Sequence, residues 1–572
     1  MSTQTYHKTS TNIKSLIEAS ITFLENKEFD NALYCLDKIK KNYIFNDINY
    51  YYSITFLYYG NFKLNSRNYK RAIELYLKAN QYSKNVEYNF QNEILINLAS
   101  CYQYLKDFEN AKNIYEKLLN NKNKPEISEG LLLYAKISSG DWTNMDQLLV
   151  KIKRKLEMGI SSVTPFTSIL TTDNPKLQYL AAKNFSTKFL NKKLFPNVNL
   201  AKDKNKKIKI AYLSSDFYNH ATAHLISKMF ELQNNNKFDY HAFSYGENYH
   251  HPITNRIKAS FKKFISINDK TDAEVHELLI RHKIDILVDL KGHTKNNRLG
   301  VLSKRPCPIQ VSFLGFPGTL GTNFIDYLIM DKYVINEVNR KFFSEKIIYL
   351  PNCYQCNEIR AIKKVNKKDF NLPENKIILC SLNNSQKYNF STLNAWKTIL
   401  KNNPDTILWL LDDGKKVNEK ILAYFKNDNI KADRILFAKK VDTLTHISRM
   451  SLADIFLDSF PCNAHTTASD ALQANLPIVT ISGKSMSSRV AGSLLNTLGL
   501  NELICSNFYQ YVDKVNYLIK NKKKLKKLKI EIKEKKSLYL FNSKLFVTNI
   551  EKAYEKIWHH HLNGNKIADI FI

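Results

Sequence analysis

The stretch Pro461–Leu472, PCNAHTTASDAL, follows the apolar run Leu452–Leu457 and leads into a helical pattern from Thr467 to Ala474. It is therefore predicted to be the turn between a short buried strand and the start of a helix. The first N–H groups of a helix have no partner within it, and the helix dipole is positive there, so such turns attract phosphate. The alternative is that Thr466 or Thr467 serves only as the N-cap.

Strand-like and helix-like segments alternate on both sides of this turn, across residues 376–540. The apolar runs are KIILCSL from Lys376, TILWLLDDG from Thr406, RILFAKK from Arg434 and LPIVTIS from Leu476. The alternation predicts a doubly wound parallel sheet, and ligands bind such sheets outside the carboxyl ends of the strands. KIILCSL ends in the turn Asn383–Lys387, which places Lys387 on a strand end neighbouring PCNAHTTASDAL. Asp412 and Asp413 are interpreted as part of an ordinary turn rather than a metal site.

An earlier alternation over residues 206–349 predicts a second sheet of the same kind, with residues 350–375 as the linker. Its strands are KIKIAYL from Lys207, YHAFSY from Tyr240, IDILVDL from Ile284 and IQVSFLGF from Ile309. The polar residues at or beyond the strand ends are Asp216, Asn219, His220, Lys291, His293, Thr294 and the turn Gly315–Thr319. No GxGxxG is present, so a dinucleotide cofactor is not indicated. Two doubly wound Rossmann-like halves facing a cleft resemble the GT-B fold, by pattern and analogy.

Residues 1–160 follow a repetitive helical pattern that predicts an all-α domain. An aromatic residue stands three positions before a small or apolar one at intervals of about 34 to 40 residues, which is similar to the tetratricopeptide repeat. The pairs are Phe29/Ala32, Tyr69/Ala72, Phe108/Ala111 and Trp142/Met145. The alternative is an irregular helical bundle. Stacked helix pairs offer a concave surface for a protein or peptide. Residues 161–205 are predicted to be a helical connector, and 541–572 a C-terminal helix and tail.

Composition excludes several classes of function. The chain carries 85 Lys and Arg against 53 Asp and Glu, a net charge of +32, but the excess is spread along the whole length, so specific nucleic-acid binding is not indicated. The Lys-rich block at 521–536 keeps Leu and Ile at helical spacing and is interpreted as a solvated helix face. Cys353 and Cys356 form a lone CxxC without the partners of a zinc site. Neither a signal peptide nor a membrane-spanning run is found, and a reducing cytoplasm is expected.

Six ordered motifs resemble one enzyme family, the O-GlcNAc transferases (peptide N-acetylglucosaminyltransferases, glycosyltransferase family 41) and their bacterial relatives. The motifs are SSDFYNHATAHL, VDLKGHTKNNRLG, RPCPIQVSFLGFPGTLG, the turn ending in Lys387, HISRMSLADIFLDSFPCNAHTTASDAL and SSRVAGSLL. They follow tetratricopeptide-like repeats, as in that family. The resemblance covers residues 13–560.

The resemblance implies roles for individual residues. Lys387 matches the lysine that neutralises the nucleotide diphosphate leaving group, with Asn384 where the family often has Gln. The implied nucleotide-sugar contacts are His465 beside sugar and phosphate, Thr466 and Thr467 at the phosphates, Asp470 at the ribose, and His446 and Arg449 beside the nucleobase. His220 matches a histidine near the reacting centre. The implied sugar and acceptor side comprises His293, Thr294, Leu314 and Gly315.

The chemistry agrees with these residue types. Lys387, a helix N-terminus and two hydroxyl groups can stabilise the negative charge of a leaving diphosphate without a metal. The acceptor hydroxyl must lose a proton, and His220 is either the general base or a positioning residue. No cofactor beyond the sugar nucleotide is expected.

The leading hypothesis is a cytoplasmic, inverting, metal-independent transferase that moves GlcNAc from UDP-GlcNAc to Ser or Thr of a protein held by the repeats. The nucleobase-side lysine of the animal enzymes falls at about Thr443 here, and GHTKNNRLG also resembles a plant branch that uses a GDP-sugar. UDP-glucose, GDP-fucose and an Asn acceptor therefore stay open. The alternative from another class is a repeat scaffold with a nucleotide-binding but inactive transferase half.

Overall fold

The computed structural model describes residues 3–43, 45–84, 90–189, 207–246 and 250–572, with side chains described from residue 12 onward. The chain divides into two compact units, residues 1–148 and 149–572. No described helix is both long enough and apolar enough to cross a membrane.

The first unit is built of paired helices. They are α1 (Thr3–Glu25), α2 (Phe29–Asn42), α3 (Ile48–Asn65), α4 (Tyr69–Ser83), α5 (Gln91–Tyr104), α6 (Phe108–Leu119), α7 (Ser128–Ser138) and the start of α8 (Met145–Glu157). The predicted aromatic positions begin α2, α4 and α6. Ala32, Ala72 and Ala111, three residues further on, have no solvent exposure, because a small side chain lets neighbouring helices approach closely. The prediction of an all-helical repeat region is confirmed.

The second unit contains the connector helices and two parallel sheets. Its strands are β1 (Ile208–Ser214), β2 (Phe238–Ser244), β3 (Lys263–Ser266), β4 (Ile286–Asp289), β5 (Ile309–Ser312), β6 (Tyr327–Asp331), β7 (Lys346–Leu350), β8 (Ile377–Ser381), β9 (Thr406–Leu411), β10 (Ile435–Ala438), β11 (Ile455–Leu457), β12 (Ile478–Ile481), β13 (Ile504–Cys505) and β14 (Ile570–Phe571). The first sheet has the order β14-β7-β6-β5-β4-β1-β2-β3, and the second β10-β9-β8-β11-β12-β13.

The remaining helices connect and cover these strands. They are α9 (Pro165–Thr171), α10 (Pro175–Ser186), α11 (Ala221–Glu231), α12 (Pro252–Ala259), α13 (Asp272–His282), α14 (Leu299–Leu302), α15 (Phe390–Asn402), α16 (Lys415–Lys426), α17 (Thr443–Met450), α18 (Thr466–Gln473), α19 (Val490–Thr497), α20 (Phe508–Lys520), α21 (Lys522–Lys535) and α22 (Ser543–Leu562). Every neighbouring strand pair is parallel, which confirms the predicted doubly wound α/β class. The last residues of the predicted connector, 190–205, lie outside the described part of the chain.

Five strands were not named by the sequence pattern: β3, β6, β7, β13 and β14. β13 and β14 have two residues each, and β3 is a partly exposed edge strand of four. β6 and β7 have five residues each, of which four are apolar or aromatic, and at this length periodicity does not separate strand from helix.

The C-terminal segment belongs to the first half rather than forming a separate tail. Ile550, Tyr554 and Ile557 of α22 lie in the same buried cluster as Ile210 and Tyr212 of β1. The hydroxyl groups of Tyr212 and Tyr554 are 3.1 Å apart. The chain thus crosses to the second sheet and returns to complete the first.

Removing residues 566–572 should destabilise the first half. Asp569 accepts two hydrogen bonds from the Arg340 guanidinium, at 2.8 and 2.7 Å, and Ile570 is buried. Exposing the apolar surface under Ile570 and unpairing Arg340 should lower the free energy of unfolding by about 3 kcal/mol in a urea titration. Ile567→Ser, at an exposed position of the same segment, is the control and should change it by less than about 0.5 kcal/mol. Equal effects of both changes would contradict a structural role for β14.

Candidate functional site

The turn after β11 has the predicted strand-to-helix geometry, with one difference. Helix α18 begins at Thr466, and the N-cap is His465, whose side chain makes no capping hydrogen bond. Neither Thr466 nor Thr467 occupies the cap position, so the interpretation of these threonines as a plain N-cap is wrong. No side-chain cap therefore closes the N-terminus of α18. An anion site at the start of a helix requires such an uncapped end.

A buried carboxylate holds this turn in shape. Asp458, directly after β11, accepts hydrogen bonds from Ala464 N at 2.6 Å, Ser459 N at 2.8 Å and Thr480 Oγ1 at 2.6 Å. Burial raises the pKa of Asp458 to about 6, while these bonds and the charge of Lys387 act to lower it. Sequence reasoning missed Asp458, although a polar residue at the carboxyl end of a buried strand was the available signal.

Lys387 lies beside the turn, as predicted from the two strand ends. Its Nζ donates to Asn463 O at 2.6 Å. Asn384 caps the short 3-10 turn that carries Lys387, and Asn384 O accepts the N–H of Lys387 at 3.1 Å. The structure therefore brings Lys387 together with the residues that begin α18.

His465 faces the same place as a neutral imidazole. Burial, together with the positive charge of Lys387, lowers the pKa of His465 to about 3. Its Nε2 lies 3.2 Å from Ser487 O, and a carbonyl oxygen can only accept, so Nε2 carries the proton. Nδ1 is then the unprotonated nitrogen.

Asp470 is ion-paired with a residue that the sequence did not suggest. The Arg360 guanidinium, from the linker between the halves, contacts the Asp470 carboxylate, and both side chains are nearly buried. His446 Nε2 lies 3.9 Å from the other carboxylate oxygen. Arg360 belongs to no motif and stands 110 residues from its partner, so no local signal could have found it.

Arg449 lies behind His446 rather than in the cleft. Its side chain is 1% exposed, and its guanidinium donates to Lys439 O at 2.5 Å and to His446 Nδ1 at 3.0 Å. Burial lowers the pKa of Arg449 to about 10. Because His446 Nδ1 accepts, its proton is on Nε2, the atom nearest Asp470. The resemblance implies that Arg449 lies beside a nucleobase; in the structure its guanidinium supports His446.

The first half contributes the N-terminus of α11. His220 is the N-cap of this helix, and its Nδ1 accepts the N–H of Thr222 at 3.2 Å. The same nitrogen lies 3.5 Å from Asp216, whose carboxylate is held by Lys291 Nζ at 2.7 and 2.8 Å. Burial lowers the pKa of His220, an effect that Asp216 opposes and Lys291 reinforces.

A hydrogen bond joins α11 of the first half to α17 of the second half. His224 Nε2 on α11 lies 3.2 Å from Thr443 Oγ1, the first residue of α17. Burial lowers the pKa of His224 to about 4, and the charge of Arg360 acts in the same direction. The N-terminus of α11 therefore meets the Asp470 region of the second half.

The predicted sugar and acceptor positions differ in accessibility. His293 is buried, with Nε2 2.9 Å from Leu320 O and its ring edge-on to Phe185 and Phe316. Thr294 Oγ1 donates to Lys291 O at 2.8 Å. These contacts make His293 part of the packing under the strand ends rather than a surface of the cleft.

Leu314 and Gly315 lie against the end of β4. Leu314 has a φ of 68°, and a Cβ on Gly315 would stand 1.9 Å from Leu290 O. Only glycine fits there, because the backbones approach too closely for a side chain. The loop after β5 is thereby held against the backbone of Leu290 and Lys291.

The described residues include no group of three or more His, Cys, Asp or Glu side chains suited to a metal ion. Asp412 accepts from Gly414 N at 3.0 Å, and Asp413 from Ser385 N at 2.6 Å and Lys440 Nζ at 3.0 Å, so both belong to turns. Cys353 and Cys356 are buried free thiols, and burial raises the pKa of both.

The sequence model of glycosyl transferase family 41 matches residues 140–365 and 357–550, more than half of the chain. The chain belongs to this family.

Two plant relatives of this family 41 chain illustrate the sequence similarity. A protein of Arabidopsis thaliana named probable UDP-N-acetylglucosamine–peptide N-acetylglucosaminyltransferase SEC is 33% identical over 371 residues, which cover 63% of this chain and 38% of the plant protein. A SPINDLY protein of Solanum lycopersicum with the same enzyme name is 27% identical over 400 residues, or 68% of this chain and 42% of that protein. The match thus spans about two fifths of each relative.

The fold has a solved counterpart. An O-GlcNAc transferase mutant of Thermobaculum terrenum matches with a TM-score of 0.70 and 19% identity, over 99% of this chain and 100% of that one. The predicted GT-B class, with an N-terminal helical repeat region, is confirmed.

The pairing of Arg360 with Asp470 can be measured in this family 41 chain. In Arg360→Ala the buried Asp470 carboxylate loses its cation, and the free energy of unfolding should fall by about 3 kcal/mol in a urea titration. Asp470→Ala and the double variant complete the cycle, and Arg281→Ala, at an exposed helix position, is the control. A coupling energy below about 0.5 kcal/mol would show that the two side chains do not depend on each other.

Proposed function

We propose that this chain is a protein O-glycosyltransferase that moves GlcNAc from UDP-GlcNAc to a Ser or Thr hydroxyl group, with inversion and without a metal ion. The position of Lys387 Nζ, 2.6 Å from Asn463 O and beside the N-terminus of α18, supports this activity. The names of the plant relatives agree with this donor and with a peptide acceptor.

The leaving group decides which residues matter. The bond between the sugar carbon C1 and the diphosphate oxygen breaks, and its electron pair stays on the diphosphate. The acceptor oxygen bonds to C1, and its proton passes to the leaving diphosphate, directly or through water. Negative charge therefore grows on the diphosphate in the transition state. Lys387, the N–H groups at the start of α18 and the hydroxyl groups of Thr466 and Thr467 would stabilise it without reorganisation.

The neighbouring residues suit the rest of a nucleotide sugar. Asp470 lies one turn along α18 from Thr466, and His446 Nε2 lies 3.9 Å from its carboxylate. These two residues would bind the ribose and the base. His465 Nδ1 is unprotonated and would accept a hydrogen bond from the sugar. Thr443 stands where the animal enzymes carry a lysine, and its hydroxyl group is already bonded to His224. A different base or sugar, as in UDP-glucose or GDP-fucose, is therefore the second candidate donor.

For His220 the hydrogen bonds favour positioning over proton abstraction. Its Nδ1 is used as the acceptor of the Thr222 N–H, so a neutral ring carries its proton on Nε2. An Nε2–H group donates and does not take up a proton. In the proposal His220 donates a hydrogen bond to the substrate and does not act as the base.

The acceptor protein would be held by the helical repeats. Tyr34 and Tyr58 expose 60% and 56% of their surface in the first unit, and exposed aromatic side chains are common contacts for peptides. We propose a cytoplasmic location, in keeping with eight cysteines that are all free.

Lys387→Ala should lower kcat/KM for sugar transfer or sugar-nucleotide hydrolysis by about 100- to 1,000-fold, the usual cost of one fixed charge-stabilising donor. The assay is release of nucleoside diphosphate from UDP-GlcNAc, UDP-glucose and GDP-fucose in the presence of EDTA. Lys415→Ala, at an exposed position of the same half, is the control and should retain wild-type activity. Turnover of none of the three donors by the wild-type protein, or a Lys387→Ala variant within twofold of it, would contradict the proposal and favour the inactive scaffold.

Two substitutions distinguish a hydrogen-bond donor from a general base at His220. His220→Gln keeps an N–H donor and should retain activity within about tenfold, whereas His220→Phe should lose about 100-fold. If His220 were a general base, both variants would lose it, and kcat would fall by about 100- to 10,000-fold in each. Equal losses would therefore assign proton abstraction to His220.

A further inference from the structure

The connector before the first sheet is hydrogen-bonded to a loop of the second half. Asp173, between α9 and α10, accepts hydrogen bonds from Lys484 N at 3.0 and 2.8 Å, Ser485 N at 2.9 Å and Ser488 Oγ at 2.5 Å. One carboxylate thus takes three donors from the loop between β12 and α19. A Cβ on Gly483 would lie 2.4 Å from the Asp173 carboxylate, so glycine permits the approach.

A second set of contacts joins the connector to Ser487 in the same loop. Ser487 Oγ donates to Ile169 O at 3.3 Å, and Gln178 Nε2 donates to Ser487 Oγ at 3.3 Å. Gln178 Nε2 also donates to Thr172 O at 2.7 Å, and this bond fixes the Gln178 side chain. Ser485, Ser487 and Ser488 have no solvent exposure, so the connector replaces water as their partner.

The same loop holds the residues beside Lys387. Ser487 O accepts Asn463 N at 2.9 Å and His465 Nε2 at 3.2 Å. Asn463 O accepts Lys387 Nζ at 2.6 Å. The path from Asp173 to Lys387 therefore runs through one loop and the backbone of one residue, Asn463, each fixed by hydrogen bonds.

We propose that Asp173 is a positioning residue for the diphosphate site. Its carboxylate holds the loop Gly483–Ser488 so that Ser487 O keeps His465 in its Nε2–H tautomer and keeps the Asn463 carbonyl aimed at Lys387. The inference rests on the proposed function, because it assigns to the connector an effect on that same site. The connector then has a role in donor binding besides joining the repeats to the transferase.

The role predicts a selective loss. Without the Asp173 carboxylate, the N–H groups of Lys484 and Ser485 lose their acceptor, and the loop is free to shift Ser487 O away from Asn463 and His465. The phosphates should be bound less well, whereas contacts of the base and ribose near Asp470 should not change. A carboxylate that only stabilises the fold would leave nucleotide affinity unchanged in the folded protein.

The test compares UDP with UMP by calorimetry on the full chain at a temperature where every variant is folded. Asp173→Ala should weaken UDP binding by about tenfold and UMP binding by less than about threefold, as expected for displacement of about one charge-assisted hydrogen bond. Asp173→Asn keeps one acceptor oxygen and should also weaken UDP binding more than UMP binding, but by a smaller factor. It replaces Asp173→Ala in the test if that variant does not fold. Asp405→Ala, an exposed aspartate in the second half, is the matched control.

A second readout follows His465 directly. Nitrogen-15 chemical shifts should show a proton on Nε2 in the wild type and a mixture of tautomers in Asp173→Ala. Unchanged UDP affinity and unchanged His465 shifts in both Asp173 variants would overturn the role of Asp173. If Lys387→Ala also leaves UDP affinity unchanged, the proposed function fails as well. A loss in Lys387→Ala alone contradicts only the inference about Asp173.

Discussion

The structure of the candidate site depends on the buried carboxylate of Asp458. It accepts Ala464 N, Ser459 N and Thr480 Oγ1, and so fixes the turn that leads from β11 into α18. A buried charge is tolerated only when hydrogen bonds and nearby charge replace its hydration, and here Lys387 supplies the charge. The interaction that shapes the turn thus also favours a cation beside it. The proposed binding of a diphosphate requires such an arrangement.

The halves are joined by several separate polar contacts. His224 meets Thr443 across the cleft, Arg360 of the linker pairs with Asp470, and the guanidinium of Arg489 donates to Tyr333 O at 2.9 and 2.7 Å. Helix α22 returns from the second half to pack on β1. These contacts come from both halves and from the linker, and each joins residues that are distant in sequence.

Most of the fold could be predicted because its signals are local. Buried parallel strands are apolar throughout, and amphipathic helices repeat their apolar residues every three to four positions. The turn PCNAHTTASDAL lies between one such strand and one such helix. Lys387 could be placed near PCNAHTTASDAL because strand ends of one sheet share an edge. The pairing of Arg360 with Asp470 and of Asp173 with Lys484 depends on tertiary packing over 110 and 311 residues and leaves no periodic signal. The burial of His293 and Arg449 was missed for the same reason, since residue type alone does not reveal which face of a strand end is covered.

The most direct measurement is a crystal structure of the full chain with UDP, grown in the presence of EDTA. We expect the outer phosphate within about 3 Å of Lys387 Nζ and of the N–H groups at the start of α18, with the ribose at Asp470 and no metal ion between phosphate and protein. A diphosphate bound elsewhere in the cleft, or one that binds only through a metal ion when EDTA is omitted, would contradict it.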